Sequence, residues 1–269
     1  MAGKQKQRLD LLLVERGMAD NIDHARRLIG AGQVLVNDQC LDKAGAQVAA
    51  TSHVSVKGGK RFVSRGGDKL ETGLTGLAIT PHDWVCADIG SSTGGFTDCL
   101  LQHGARRVYC VDVGYGLLDW KLRNDQRVVV LERTNARHLT THHIPKCLDL
   151  AVIDASFISL EPLLPPLIPL FKGVVRIVAL VKPQFQLPRE LVDDGGIVSD
   201  ELLHRQALHM VQQFGQRLGL GCERIIASGV KGAKGNQEYF MLLTGSAVTG
   251  DNGTQILDKG DRDDLSTVD

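Results

Sequence analysis

The chain has 269 residues, 43% hydrophobic and 23% charged, which is ordinary globular usage and excludes a disordered or fibrous chain. Lys+Arg and Asp+Glu both number 31, so the formal net charge is zero. The first 69 residues nonetheless hold twelve basic and seven acidic side chains, a net +5 balanced by −5 in the remainder, which suits a small part that meets a polyanion.

The N-terminus, Met1-Ala2-Gly3-Lys4-Gln5-Lys6-Gln7-Arg8, has no apolar stretch long enough for a secretory signal. Leu9, Leu12 and Leu13 form one apolar face, predicting a helix that stops at Gly17. A second helix is predicted to start at Asp20 or Asn21, bury Ile22, Ala25, Leu28 and Ile29, and end at Gly30 or Gly32. Arg26 and Arg27 fall on its other face. Val34-Leu35-Val36, the turn Asn37-Asp38 and Val54-Ser55-Val56 predict short strands. Residues 1–59 therefore read as one small module, and residues 60–67, ending in Gly66-Gly67, as a linker.

From residue 68 onward, apolar runs of strand length alternate with helical segments: 84–89, 108–113, 128–131, 148–153, 174–181, 224–227 and 239–243. That is the spacing of βα units, so a mostly parallel sheet with helices on both faces is expected over 68–245. The tail, 246–269, is polar and rich in Asp and Gly, and is expected to be disordered. The most apolar region, 160–181, is broken by Glu161, Pro162, Pro165, Pro166, Pro169, Lys172 and Arg176, so no membrane span is expected. The six cysteines include no C-x-x-C pair, and Cys86 and Cys110 lie in strand-like apolar runs. A reduced, cytoplasmic protein without a metal site is expected.

Chemistry concentrates after the first strand of the sheet, in Asp88-Ile89-Gly90-Ser91-Ser92-Thr93-Gly94-Gly95-Phe96, which opens a helix where doubly wound folds bind nucleotide-like ligands. Asp112, at the end of the next strand, is placed to accept from ribose hydroxyls. A dinucleotide site would show G-x-G-x-x-G, but Ser92 stands where the second glycine belongs. An acid two residues before the first glycine is instead typical of S-adenosylmethionine (SAM) sites. A glycine-rich turn serving only chain geometry is the plainer alternative, outweighed by the joint placement of the loop and Asp112. Asp154 and Lys182 each close a predicted strand, at the sheet edge where ligands bind. Glu238 opens the last strand, and Lys69 follows Ser64-Arg65-Gly66-Gly67-Asp68. Singly, each is more readily a helix cap or a solvated charge; together they point to a site.

In these features the sequence resembles the TlyA-type hemolysin/rRNA methyltransferases, over roughly residues 8–244. The carriers are the stretch 8–56, Val63-Ser64-Arg65-Gly66-Gly67-Asp68-Lys69-Leu70, and the loop 88–98. Val111-Asp112-Val113-Gly114-Tyr115-Gly116, Ile153-Asp154-Ala155-Ser156-Phe157-Ile158-Ser159-Leu160, Lys182-Pro183-Gln184-Phe185 and Gly235-Asn236-Gln237-Glu238 add to them. Gln186 departs from the pattern where an acidic residue is usual, and Asp68 where an apolar one is usual.

The resemblance implies an α/β fold: a Rossmann-like class I SAM-dependent methyltransferase with a mostly parallel seven-stranded sheet, preceded by a small α+β S4-like RNA-binding domain. It implies SAM as cofactor, bound by Asp88, Gly90, Ser91, Ser92, Thr93, Gly94, Gly95, Phe96, Asp112 and Asp154. It implies ribosomal RNA or ribosomal subunits as partner, met by Lys4, Lys6, Arg8, Arg26, Arg27 and Arg65. It maps an FtsJ-like catalytic tetrad for ribose 2′-O-methylation, with cytidine as the target base, onto Lys69, Asp154, Lys182 and Glu238.

The chemistry fits that set. A ribose hydroxyl is a weak nucleophile, and an unperturbed lysine, pKa about 10.4, is protonated at neutral pH and useless as a base. Crowding Lys182 against Lys69 and desolvating it would favour the neutral amine, while Asp154 and Glu238 would oppose that and fix the geometry. Lys182 is the expected base, Asp154 the orienting group beside the methyl donor, and Lys69 and Glu238 position the ribose. Two other classes compete: a pore-forming hemolysin, against which the broken apolar run counts, and a non-catalytic RNA-binding assembly factor, in which an intact tetrad is unexpected.

Overall fold

The computed structural model describes residues 6–56 and 61–247. In the N-terminal part, β1 (Lys6–Arg8) leads into α1 (Leu9–Glu15) and α2 (Ile22–Gly30), followed by β2 (Val34–Val36), β3 (Gln39–Cys40), β4 (Gln47–Ala49) and β5 (Val54–Val56). β1 pairs antiparallel with β4, and β2 lies between β3 and β5. Leu9, Leu13, Ala25, Ile29, Val34 and Val54 close a small core. Asn21 caps α2, its side chain accepting from His24 N at 2.8 Å. Ile22 is a correction: it shares the Ala25–Ile29 face, but in the first turn of α2 it lies outside the small core and is exposed. β1, β3 and β4 escape the sequence reading because short, largely polar strands show no apolar alternation.

Arg8 and Arg26, expected as free RNA-facing cations, both lean on the fully buried carboxylate of Asp10, at 2.7 and 3.4 Å. The Arg8 hydrogen bonds hold Asp10 below the usual carboxylate range, against its desolvation. Arg27 and Lys6 are exposed, and Lys4 lies outside the described residues.

The second part runs α3 (Arg65–Leu77), β6 (Val85–Ile89), α4 (Gly95–Gln102), β7 (Arg107–Val111), α5 (Trp120–Arg123) and β8 (Val128–Leu131). It continues through β9 (Leu150–Ile153), β10 (Val174–Val181), α6 (Pro183–Gln186), α7 (Glu201–Arg217), β11 (Gly221–Ala227) and β12 (Tyr239–Ser246). Seven strands form one sheet in the order β11-β12-β10-β9-β6-β7-β8. It is parallel from β10 to β8, while β12 is antiparallel to both β10 and β11. The seven predicted runs are these strands. The second ends early, at Val111, leaving Val113 71% exposed in the following loop.

Alternate residues feed two cores, one on each face: Val85, Ala87 and Ile89 on one side, Cys86 with Cys110 and Val152 on the other. Burial on both faces is why these strands read as near-continuous apolar runs. All six cysteines are free. No helix among the described residues is long and apolar enough to cross a membrane.

Residues 65–67, expected in the linker, are the first turn of α3. Ser64 caps that helix, accepting from Gly66 N at 3.3 Å, and Phe62 is buried in the core beside Leu70 and Leu74. The glycine pair that suggests a break instead permits close packing, since a Cβ on Gly67 would lie 2.2 Å from the Phe62 ring. At the other end β12 continues to Ser246; the expected disordered tail, from residue 248 on, lies outside the described residues.

Candidate active site

Strand order reverses at β6, whose neighbours are β7 on one side and β9 on the other, and the crevice at that switch point is where open α/β sheets hold ligands. The loop leaving β6 is fixed from several directions. Gly90 N and Ser91 N donate to the carbonyl of Val111 at 2.9 and 3.2 Å, and Gly94 N to that of Ser91 at 2.7 Å. Gly90 has φ +83, and a Cβ there would lie 2.6 Å from the Asp154 carbonyl oxygen, so only glycine fits. Gly95 lets α4 meet the start of α3, because a Cβ there would come within 2.2 Å of Ser64 Oγ.

Two cavities open at this edge, of about 250 and 310 Å³, sharing Gly90, Ser92 and Asp154 as walls. Asp88, Gly90, Ser91, Ser92, Thr93, Gly95, Phe96 and Asp154 line the first, with Arg65 and Lys69. Asp112 lines the second, beside Val113, Leu117, Asn135, Ala136 and Ser156. Gly94 is buried at the start of α4 and lines neither. Asp112 accepts from Ser92 N at 2.8 Å and Gly114 N at 2.7 Å, so it clamps the loop after β6 to the loop after β7.

Asp88 is fully buried. Its Oδ2 accepts from Thr97 N and Thr97 Oγ1 at 2.9 and 2.7 Å, while Oδ1 has no hydrogen-bond partner. Burial pushes its carboxyl up to about 7; the Thr97 hydrogen bonds oppose this, and the charges of Asp154 and Asp112 add to it.

The four residues expected to act together form two ion pairs. Lys69 Nζ lies 2.6 Å from Glu238 Oε2, and Lys182 Nζ lies 2.6 Å from Asp154 Oδ1. Lys69 and Asp154 are cavity walls; Lys182 and Glu238 are buried and join through these pairs. Lys182 Nζ also donates to Ser156 Oγ at 2.8 Å. Sequence reasoning assigned no role to Ser156, although it stands two residues after Asp154. Gln186, the departure noted above, is buried and caps the Leu160 N–H at 3.1 Å.

Glu71, Cys99 and His103 also gather ligand-type atoms, between α3 and α4. Both oxygens of Glu71 are already engaged, by Arg61 at 3.0 Å and His103 at 2.6 Å, so the cluster is a clamp between helices.

Residues 62–244 match the family model of the FtsJ-like methyltransferases, and residues 7–54 that of the S4 domain. YqxC of Bacillus subtilis, provisionally named an rRNA methyltransferase, is 46% identical over 89% of this chain and 86% of its own. The 16S/23S rRNA (cytidine-2′-O)-methyltransferase TlyA of Mycobacterium tuberculosis is 44% identical over 89% of this chain and 90% of its own. A solved structure provisionally titled a hemolysin, from Streptococcus thermophilus, superposes with a TM-score of 0.67 at 38% identity, covering 90% of each chain. With its fold, its cleft and these relatives, the chain belongs to the TlyA-type family, FtsJ-like methyltransferases that carry an S4 domain at the N-terminus.

Proposed function

We propose that this chain is a SAM-dependent ribose 2′-O-methyltransferase acting on ribosomal RNA, with cytidine as the target base. The observation that carries the reading is the pair of 2.6 Å lysine–carboxylate contacts beside the glycine-rich cleft of an FtsJ-like domain. The relatives' names supply the substrate class and the base.

The cleft suits the cofactor. Gly90 keeps it open, the orphaned Asp88 Oδ1 is a buried polar atom beside it, and Asp112 retains acceptor sites beyond the two given to backbone N–H groups. Asp112 would take the ribose hydroxyls, and Val113, Leu117 and Ala136 offer apolar walls for the purine. When bound, SAM supplies a sulfonium methyl open to in-line attack.

The chain's own residues do the rest. Lys182, as the free amine, takes the proton of the 2′-hydroxyl as its oxygen attacks. Asp154 keeps that amine at the cleft, and the Lys69–Glu238 pair holds the ribose. Arg65, at the cavity wall, and Lys4, Lys6, Arg8, Arg26 and Arg27 of the N-terminal part contact RNA phosphates.

The test maps 2′-O-methyl groups on both ribosomal RNAs from cells with and without the gene, then complements with wild type or Lys182→Ala. A site lost with the gene, restored by wild type and not by Lys182→Ala, is the expected result. A methyl on a base atom would overturn the tetrad mechanism, and full restoration by Lys182→Ala would overturn the base assignment.

A further inference from the structure

We infer that Ser156 is a positioning residue for methyl transfer: its hydroxyl aims the Lys182 amine at the cleft. The inference rests on Lys182 being the base. Lys182 is 6% exposed, so its amine depends on protein groups for hydrogen bonds.

Asp154 is the obvious partner, yet its 2.6 Å contact is an ion pair outside hydrogen-bond geometry, and Asp154 Oδ1 is left with no hydrogen-bond partner. The aligned partner is Ser156, whose Oγ accepts from Nζ at 2.8 Å. Asp154 therefore supplies charge and Ser156 supplies direction. A neutral amine has two N–H bonds and one lone pair. With one N–H bond drawn by Ser156, the lone pair can be turned to the 2′-hydroxyl. The proton moves from that oxygen to Nζ, the new O–CH₃ bond forms, and the S–CH₃ bond breaks with its electron pair kept by the sulfur of the SAM product.

The loop is set for this task. Ser156 lines the second cavity beside Asp154. The next residue, Phe157, has φ +65, a conformation disfavoured for a bulky side chain, and is 92% exposed. Its ring packs on Phe185 at 5.3 Å, and Lys182 Nζ lies 6.0 Å from the centre of the same Phe185 ring. The Phe157–Phe185 contact thus links the loop that carries Ser156 to the segment that carries Lys182.

The experiment is methyl transfer to ribosomal subunits from cells lacking the gene, with wild type, Ser156→Ala, Ser156→Thr, Lys182→Ala and the double variant Ser156→Ala/Lys182→Ala. Melting temperature and calorimetric SAM affinity are measured alongside. Ser156 is exposed, so truncating it empties no core. Ser156→Ala should lower kcat about 10- to 100-fold, the loss of one hydrogen bond that becomes charge-assisted as Nζ takes the proton, with KM for RNA and SAM affinity unchanged. Ser156→Thr, which keeps the hydroxyl, should recover most of that rate. In the double variant Ser156→Ala should add nothing to the loss from Lys182→Ala, since it acts only through that amine. If Lys182→Ala is inactive while Ser156→Ala keeps the wild-type kcat, the positioning role is overturned and the base assignment stands. Full activity of Lys182→Ala would overturn both. Weakened SAM affinity in Ser156→Ala would make Ser156 a cofactor contact and overturn the role inferred here.

Discussion

Gly90 and Asp154 approach each other so closely that a Cβ on Gly90 would lie 2.6 Å from the Asp154 carbonyl oxygen. The two residues directly follow adjacent parallel strands, β6 and β9, and both are walls of the two cavities. Gly90→Ala should therefore destabilise the protein by about 2 kcal/mol or more, from the strained φ and the clash together, and weaken SAM binding. Thermal melting and calorimetry check it; a variant that melts and binds like wild type would show that the loop yields freely.

A second prediction concerns Asp88. Its folded carboxyl is raised to about 7 from an ordinary value of 3.8, so the folded state binds this proton more tightly than the unfolded chain does. Its contribution to stability is complete below about pH 4 and is lost as pH climbs through about 7. The loss is roughly 4 kcal/mol, at about 1.4 kcal/mol per pKa unit. Asp88→Asn removes this dependence, so the variant should gain on wild type as pH rises from 4 to 7. Melting curves of both proteins across that range check it, and a difference independent of pH would contradict it.

Asp112→Ala should remove the proposed ribose contact and also release Ser92 and Gly114 from their shared carboxylate. We expect SAM affinity to fall by about 1.5–3 kcal/mol, roughly 10- to 150-fold, with the sheet intact. Equal affinities of variant and wild type in calorimetry would remove Asp112 from the site.

The arginines of the N-terminal part should separate into two kinds. Arg27→Ala should leave stability unchanged and flatten the slope of log RNA affinity against log salt by about 0.7 to 1. Arg8→Ala should also lower the melting temperature of the N-terminal part, because it withdraws the main partner of buried Asp10. Salt titrations with fragments of ribosomal RNA, paired with melting curves, tell these apart. Equal behaviour of the two variants would count against the distinction.

Much of this molecule is legible in the sequence. The strands at 128–131 and 174–181 begin and end where their apolar runs do: the first is half-buried throughout, and the second is buried but for its exposed first residue and the half-buried Arg176. The loop 88–96 and Asp112 are legible too: a glycine-rich turn after a strand, with an acid closing the next one, is a local pattern. Gly66-Gly67 reads wrongly as a linker, because a glycine pair looks the same whether it frees the chain or admits a ring; only the packing of Phe62 decides between them. Arg8 and Arg26 look like free cations until the fold buries Asp10 between them, since sequence carries no record of which charges lose their water. The sequence by itself determined the seven strands of the large sheet and the glycine-rich loop, which depend on neighbours along the chain, and it singled out the four charged residues by their joint placement. Only the tertiary structure decided how those four pair, Lys69 with Glu238 across 169 positions and Lys182 with Asp154, and that Ser156 takes the hydrogen bond from the lysine. Ion pairs and hydrogen bonds act over a few ångströms of space, and the folded sheet alone brings these distant segments that close.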